Sequence, residues 1–234
     1  MAHQSPLKTL SIDIGGSGIK GMILDPEGQP VSDRQRVETP RPAEPDPVID
    51  AIGTIAQGLG NFDRVSVGFP GVVMAGVVHT AVNLSPRWKG LDLATRLQDQ
   101  LGQPTRVAND ADIQGYGVIE GEGVELVVTL GTGFGSALFV DGKLVPNLEI
   151  PHHPFIKKKT YEQCLGRQAL KKDGKQTWNR NLARAIATLE HTFNYRQLYI
   201  GGGESKRITL DLPKNVQIVS NRAGILGGIK LWDS

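Results

Sequence analysis

Cysteine is nearly absent from this chain. Cys164 is the one example in 234 residues, which excludes an internal disulfide and any zinc cluster built on cysteines. Long apolar runs are missing as well. None approaches the roughly twenty residues that a membrane-spanning helix needs, and the first residues lack the apolar core of a signal peptide. A reducing cytoplasm is the expected location, and no membrane partner is expected. Excess charge is lacking too: 26 Lys and Arg stand against 24 Asp and Glu, a net charge of +2, too small to point to nucleic acid as a partner. What remains is a chain 39% hydrophobic and 21% charged, with enough apolar material to core one compact domain or two small lobes.

The pattern along the chain alternates strands and helices. Strands are expected at Leu7 to Ile14, Ile19 to Leu24 and Pro30 to Val37, with "DPEG" as a turn and "TPRPAEPDP" as an extended loop. Helices are expected at Val48 to Leu59, Leu91 to Leu101 and Asp110 to Ile119, and strands at "RVSVGF" and "TRVA". In the second half, Val124 to Thr129 and Ser136 to Val140 read as strands and "DGK" as their following turn. "IPHHPFIKKK" reads as a loop. Trp178, Leu182, Ile186, Leu189 and Phe193 recur at helical spacing, "QLYI" and "VQIV" read as strands, and a helix closes the chain from about Arg222.

"LVVTLGTGFGSALFVDG" holds Gly131, Gly133 and Gly135 where strand pairing should make glycine costly. "IGGSGIKGMILD" superposes on "LGTGFGSALFVD" without a gap, Gly15 falling on Gly131 and Asp25 on Asp141. Such duplicated strand, glycine turn and strand units suggest two lobes built alike, each offering a turn that can hold a phosphate. Amides in a glycine turn converge on an anion, and the hydroxyls of Ser17 and Thr132 can add donors. A bulged hairpin is the plainer alternative for either loop. Neither loop carries the Gly-Lys-Ser/Thr ending of a P-loop.

Asp13 precedes the first glycine turn, either as a turn-stabilising residue or as a carboxylate for magnesium beside phosphate oxygens. Asn109 and Asp110 stand between a strand and a helix. Asn109 suits an N-cap, while an Asp at the carboxyl end of a strand lies where α/β proteins bind ligands and can take a proton from an attacking hydroxyl.

"DIGGSGIKG", "GFPGVV", "NLSPRWKG", "VANDAD", "LGTGFGSALF", "EIPHHPF" and "IGGGES", in that order, resemble the motifs of ROK-type sugar kinases, specifically the polyphosphate glucokinase branch, over nearly the whole chain. The resemblance implies an α/β, actin-like and hexokinase-like fold of two lobes, each with a ribonuclease-H-like core, closing on sugar and phosphoryl donor. Residues 1–108 form the expected N-terminal lobe with the first phosphate loop. Residues 109–234 form the expected C-terminal lobe, whose final helix can pack back on the first.

By the same resemblance Asp110 is the catalytic base for the sugar 6-hydroxyl. Asn83, Asn109, Glu149, His152 and Glu162 are the further sugar-binding residues, although His152 taken alone reads as a loop histidine and Glu162 as an exposed first-turn charge. Gly15, Gly16, Ser17, Gly18, Lys20, Gly131, Thr132, Gly133 and Gly135 are the expected phosphate-binding set. Gly201, Gly202 and Gly203 match the stretch that approaches adenosine in ATP-using relatives, which keeps ATP open as donor; a plain strand-to-helix turn looks the same.

One departure bears on cofactors. Most ROK kinases carry a cysteine-rich zinc loop after the histidine, and "HHPFIKKKTYEQC" replaces it here, so structural zinc is not expected. That replacement places Lys157, Lys158 and Lys159 together, read either as a solvated charge run or as a track for a linear polyanion, which Lys20, Arg167, Lys171 and Lys172 could extend. The expected activity is transfer of phosphate from inorganic polyphosphate to glucose with magnesium required, by a homodimer. An ATP-dependent gluco- or mannokinase is the nearest rival. A sugar-responsive regulator of the same group is expected to carry an N-terminal DNA-binding domain, whereas here the first phosphate motif is reached at Asp13. A sugar-binding module without catalysis is expected to lose Asp110.

Overall fold

Alternating strands and amphipathic helices form two five-stranded mixed sheets, each with its own apolar core. The structure, a computed structural model, describes residues 6–81, 84–220 and 223–233. By packing, the chain divides into Met1–Gly117 with Arg222–Ser234, and Val118–Asn221.

The first unit contains β1 (Thr9–Gly15), β2 (Gly18–Leu24), β3 (Gln35–Val37), α1 (Pro45–Leu59), β4 (Arg64–Phe69), a small hairpin of β5 (Val73–Met74) and β6 (Val77–Val78), α2 (Leu93–Leu101), β7 (Thr105–Asn109) and α3 (Asp110–Tyr116). Its sheet runs β3-β2-β1-β4-β7. Leu10, Ile12 and Ile14 turn one face of β1 toward Val48, Ile49, Ile52 and Ile55, which recur every three or four residues along α1 after a proline in its first turn. α2 starts where the Asp92 carboxylate accepts from the Thr95 amide at 3.0 Å and stops at Gly102, whose φ of 68° is left-handed.

The other face of β1 and β4 carries Thr9, Ser11 and Ser66, all fully buried. Thr9 accepts from the Arg64 side chain at 2.8 Å, and the partner of the two serines is the end of the chain. The Ser11 hydroxyl donates to the Ile225 carbonyl and the Ser66 hydroxyl to the Gly228 carbonyl, both at 2.7 Å, and Ser66 also accepts from the Trp232 indole at 2.8 Å. The guanidinium carbons of Arg64 and Arg106 lie 5.0 and 4.7 Å from the Trp232 ring centre. The closing helix expected from about Arg222 is therefore only a turn, Ala223–Leu226, followed by tighter 3-10 geometry over Gly227–Trp232. A β-carbon at Gly228 would sit 2.4 Å from the Ser11 oxygen, so this segment can lie directly on the sheet.

The second unit contains β8 (Val124–Leu130), β9 (Phe134–Val140), β10 (Lys143–Val145), β11 (Pro154–Ile156), β12 (Lys159–Thr160), α4 (Tyr161–Leu165), α5 (Arg167–Phe193), β13 (Gln197–Gly201) and β14 (Val216–Ile218). Its sheet runs β10-β9-β8-β13-β14. Trp178, Leu182, Ala185, Ile186 and Leu189 are the buried stripe of α5, and Gly174, at φ 79° and ψ 160°, divides that helix in two. The stretch "IPHHPFIKKK", expected as a loop, is instead a 3-10 turn (Ile150–His152) and the β11–β12 hairpin. Phe155 stacks on Tyr161 at 4.2 Å between ring centres, an apolar anchor that the lysines hide in the sequence.

The echo in the sequence is a duplicated topology. In each sheet the order is the same, with two antiparallel pairings followed by two parallel ones. The turns differ by one residue. Gly15 pairs with Gly18 around Gly16 and Ser17, whereas Leu130 pairs with Phe134 around Gly131, Thr132 and Gly133.

Candidate active site

The first glycine turn is a tight hairpin whose outer residues are held by neighbours. The Thr39 hydroxyl donates to the Gly15 carbonyl at 2.5 Å, and an Arg36 guanidinium N–H donates to the Ser17 carbonyl at 3.0 Å. Asp13 and Lys20 face each other across β1 and β2 with 2.6 Å between Oδ2 and Nζ, both partly exposed. Asp13 thus lies within β1, two residues before the end of the strand, as half of an ion pair.

At the end of β7, Asn109 is the N-cap of α3. Its Oδ1 accepts from the Ala111 amide at 2.8 Å and its Nδ2 donates to the Gly71 carbonyl at 3.0 Å. Asp110 opens the helix, half-buried, and one of its carboxylate oxygens also accepts from the Ala111 amide, at 2.8 Å. Asn83 lies outside the described residues.

In the second unit the turn of Gly131, Thr132 and Gly133 docks on the start of α5. The Arg167 amide donates to the Gly131 carbonyl at 3.0 Å, and the Gly131 amide donates within the turn to the Gly133 carbonyl at 3.0 Å. Beside it the Glu204 amide donates to the Leu130 carbonyl at 2.9 Å, and the Arg167 side chain reaches Glu204 at 2.6 Å. The Gly201–Gly203 stretch therefore leads from β13 to the same end of β8 as the glycine turn. A β-carbon at Gly202 would meet the Leu130 backbone at 2.2 Å.

Glu149 and His152 flank the 3-10 turn, 3.2 Å apart between Oε2 and Nε2. Burial pushes the Glu149 carboxyl above its ordinary value of 4.5, His152 pulls it back, and the charge of Glu162 raises it further. Glu162 is in the first turn of α4, where Thr160 and Gln163 form a capping box. Its carboxylate fills the place of a side chain at Gly133: a β-carbon there would be 2.3 Å from Glu162 Oε2. The three sugar-site candidates of this unit and its glycine turn are thus one connected cluster.

The lysines are not one row. Lys157, with φ 56°, and Lys158 make the tip of the β11–β12 hairpin, while Lys159 begins β12 and points toward Asp173 at 3.9 Å. All three are exposed. Among the described residues, no group of three or more His, Cys, Asp and Glu side chains is placed to hold a metal. Two features escape sequence reasoning: the Arg36 side chain on the first turn and the Glu162 carboxylate on Gly133. Both depend on which strands and helices become neighbours.

The ROK family model matches residues 9–147. A polyphosphate glucokinase of Mycobacterium tuberculosis is 34% identical over 92% of this chain and 83% of its own length. The crystal structure of an inorganic polyphosphate/ATP-glucomannokinase from Arthrobacter sp. strain KM superposes with a TM-score of 0.86 at 36% identity, covering 97% of this chain and 98% of that one. A ROK glucokinase from Streptomyces griseus shares the fold with a TM-score of 0.82 at 20% identity, over 96% of this chain and 98% of that one. No described helix is long and apolar enough to cross a membrane. The chain belongs to the ROK family, as a sugar kinase closely related to the polyphosphate glucokinases.

Proposed function

We propose that this kinase transfers a phosphoryl group from inorganic polyphosphate to the 6-hydroxyl of glucose. The observation that carries the donor assignment is likeness, along nearly the whole chain, to enzymes whose names include polyphosphate. The lysine-tipped hairpin supports it, because exposed cations favour a long polyanion.

Phosphoryl transfer asks the protein for positioning and charge. In the first unit Asp110 is the general base that accepts the 6-hydroxyl proton as oxygen attacks the terminal phosphorus and its phosphoanhydride bond breaks, the polyphosphate leaving one phosphate shorter. The Ala111 amide fixes its carboxylate, and Asn109, capping the same helix, keeps part of its amide for a neighbouring hydroxyl. In the second unit Glu149, His152 and Glu162 accept from or donate to the remaining hydroxyls. The turns at Gly15–Gly18 and Gly131–Gly133 hold donor phosphates, with the Lys20 ammonium, paired to Asp13, beside the first of them. Magnesium reaches such sites with donor oxygens and water as its main ligands. A single partly exposed carboxylate suits that mode, so Asp13, its charge shared with Lys20, is the residue that would hold it. When bound, the ion neutralises phosphate charge.

A second reading, use of both polyphosphate and ATP, is favoured by the Gly201–Gly203 stretch ending beside the second glycine turn. A cytoplasmic homodimer is the assembly we assign. Glucose 6-phosphate formation, followed through a coupled dehydrogenase with mannose as the alternative sugar, tests the reading. Turnover of neither sugar with polyphosphate would overturn it.

A further inference from the structure

We propose that Arg36 is a donor-binding residue, its guanidinium gripping oxygens of a phosphoanhydride chain at the first glycine turn. The inference rests on the reading above that this turn receives a phosphoryl donor.

The position of Arg36 follows from strand pairing. On the edge strand β3 it is the Cα partner of Lys20, which is in turn the partner of Asp13 on β1. Directly paired residues share a face, so a carboxylate and two cations form one row beside the turn. Lys20 and Asp13 satisfy each other at 2.6 Å. Arg36 is exposed, and among the described residues no carboxylate pairs with it. The unneutralised charge in the row is therefore the guanidinium.

Its orientation is also fixed. One N–H donates to the Ser17 carbonyl at 3.0 Å, and the group lies flat where a side chain on Gly18 would be. A β-carbon there would be 2.7 Å from both Nε and a terminal nitrogen. Gly18 is not in a left-handed conformation, so glycine serves here for close approach of the arginine. Arginine presents several N–H groups in a rigid planar fork suited to phosphate. One bond to Ser17 leaves the rest for an anion, already positioned at little entropic cost. A simple brace for the turn would need only one donor, which glutamine also has.

That difference supplies the test. Arg36→Gln keeps a donor for Ser17 and removes the charge, Arg36→Ala removes both, and Arg36→Lys keeps the charge without the fork. Steady-state constants with tripolyphosphate, long-chain polyphosphate and ATP are to be measured beside calorimetric binding of tripolyphosphate in EDTA. Thermal melts and glucose KM check the fold. The expected result is a donor KM raised about tenfold to a hundredfold in both Gln and Ala variants, a smaller rise in Lys, unchanged glucose KM, and parallel weakening of tripolyphosphate binding. A loss confined to ATP, or to polyphosphate, identifies which source of the chain Arg36 meets. A Gln variant like wild type beside an impaired Ala variant would make Arg36 a brace only, and no change in any variant would also overturn the assignment. Should wild type phosphorylate no sugar, the kinase reading falls separately, and tripolyphosphate calorimetry still decides for or against Arg36.

Discussion

Replacing Gly133 by alanine separates two uses of the second glycine turn. If the bare backbone there exists only to admit a phosphate, an added methyl group should impair the donor. The structure directs the missing side chain elsewhere: the new β-carbon would lie 2.3 Å from Glu162 Oε2 and 3.1 Å from its carboxyl carbon. Ordinary contact begins near 3.4 Å, so the carboxylate must retreat by about an ångström, which a flexible side-chain end can do at about 0.5–1.5 kcal/mol of rotamer cost. A charged group that misses its hydroxyl partner loses about 1.5–3 kcal/mol, a ceiling of about 150-fold in affinity. Partial displacement should give about tenfold. Glucose KM should therefore rise about tenfold in Gly133→Ala while donor KM changes little. In a Glu162→Ala background the same change should have almost no further effect, because the clash is gone. Initial-rate kinetics on the four proteins of this cycle measure it. A donor KM that rises while glucose KM stays put, in either background, would refute the link between Gly133 and Glu162.

Asp110→Asn should leave glucose binding intact, read by calorimetry, while kcat falls by about 10² to 10⁴. Glu149, its pKa raised by burial, is more easily protonated folded than unfolded, so its favourable contribution is full below pH 4.5 and fades as pH rises through the folded pKa. The stability of Glu149→Gln relative to wild type should accordingly grow over that window in paired thermal melts, and a pH-independent difference would contradict the assignment. Changing Lys157, Lys158 and Lys159 to alanine should lower kcat/KM for long-chain polyphosphate much more than for tripolyphosphate, about fivefold to a hundredfold, with salt eroding the wild-type advantage. Most of that loss should come from Lys157 and Lys158, since Lys159 faces Asp173. Ser66→Ala should destabilise by about 1–3 kcal/mol in urea unfolding, since it leaves the Gly228 carbonyl and Trp232 indole without their buried partner.

Apolar strands flanking glycines made both central hairpins legible, and the echo between them pointed to two lobes built alike, though not to their sheet order. Asn109 was readable as a cap because capping is local. Ser11 and Ser66 were not readable as anchors, since a serine in a strand looks the same whether water or a distant carbonyl receives its hydroxyl; their partners lie 214 and 162 residues away. The hairpin at Pro154–Thr160 was hidden because its exposed lysines outweigh the Phe155 contact that folds it. The contacts of Arg36 with Gly18 and of Glu162 with Gly133 were obscure for the same reason as the serines. Each side chain meets a glycine brought to it by tertiary pairing, and nothing in either local stretch marks the meeting.

The most direct measurement is the initial rate of glucose 6-phosphate formation with long-chain polyphosphate and with ATP, at equal phosphoryl concentration, for wild type and Asp110→Asn. The expected result is faster turnover with polyphosphate, lost by about a hundredfold or more in the variant. Turnover with ATP alone, none with either donor, or a variant as active as wild type would contradict it.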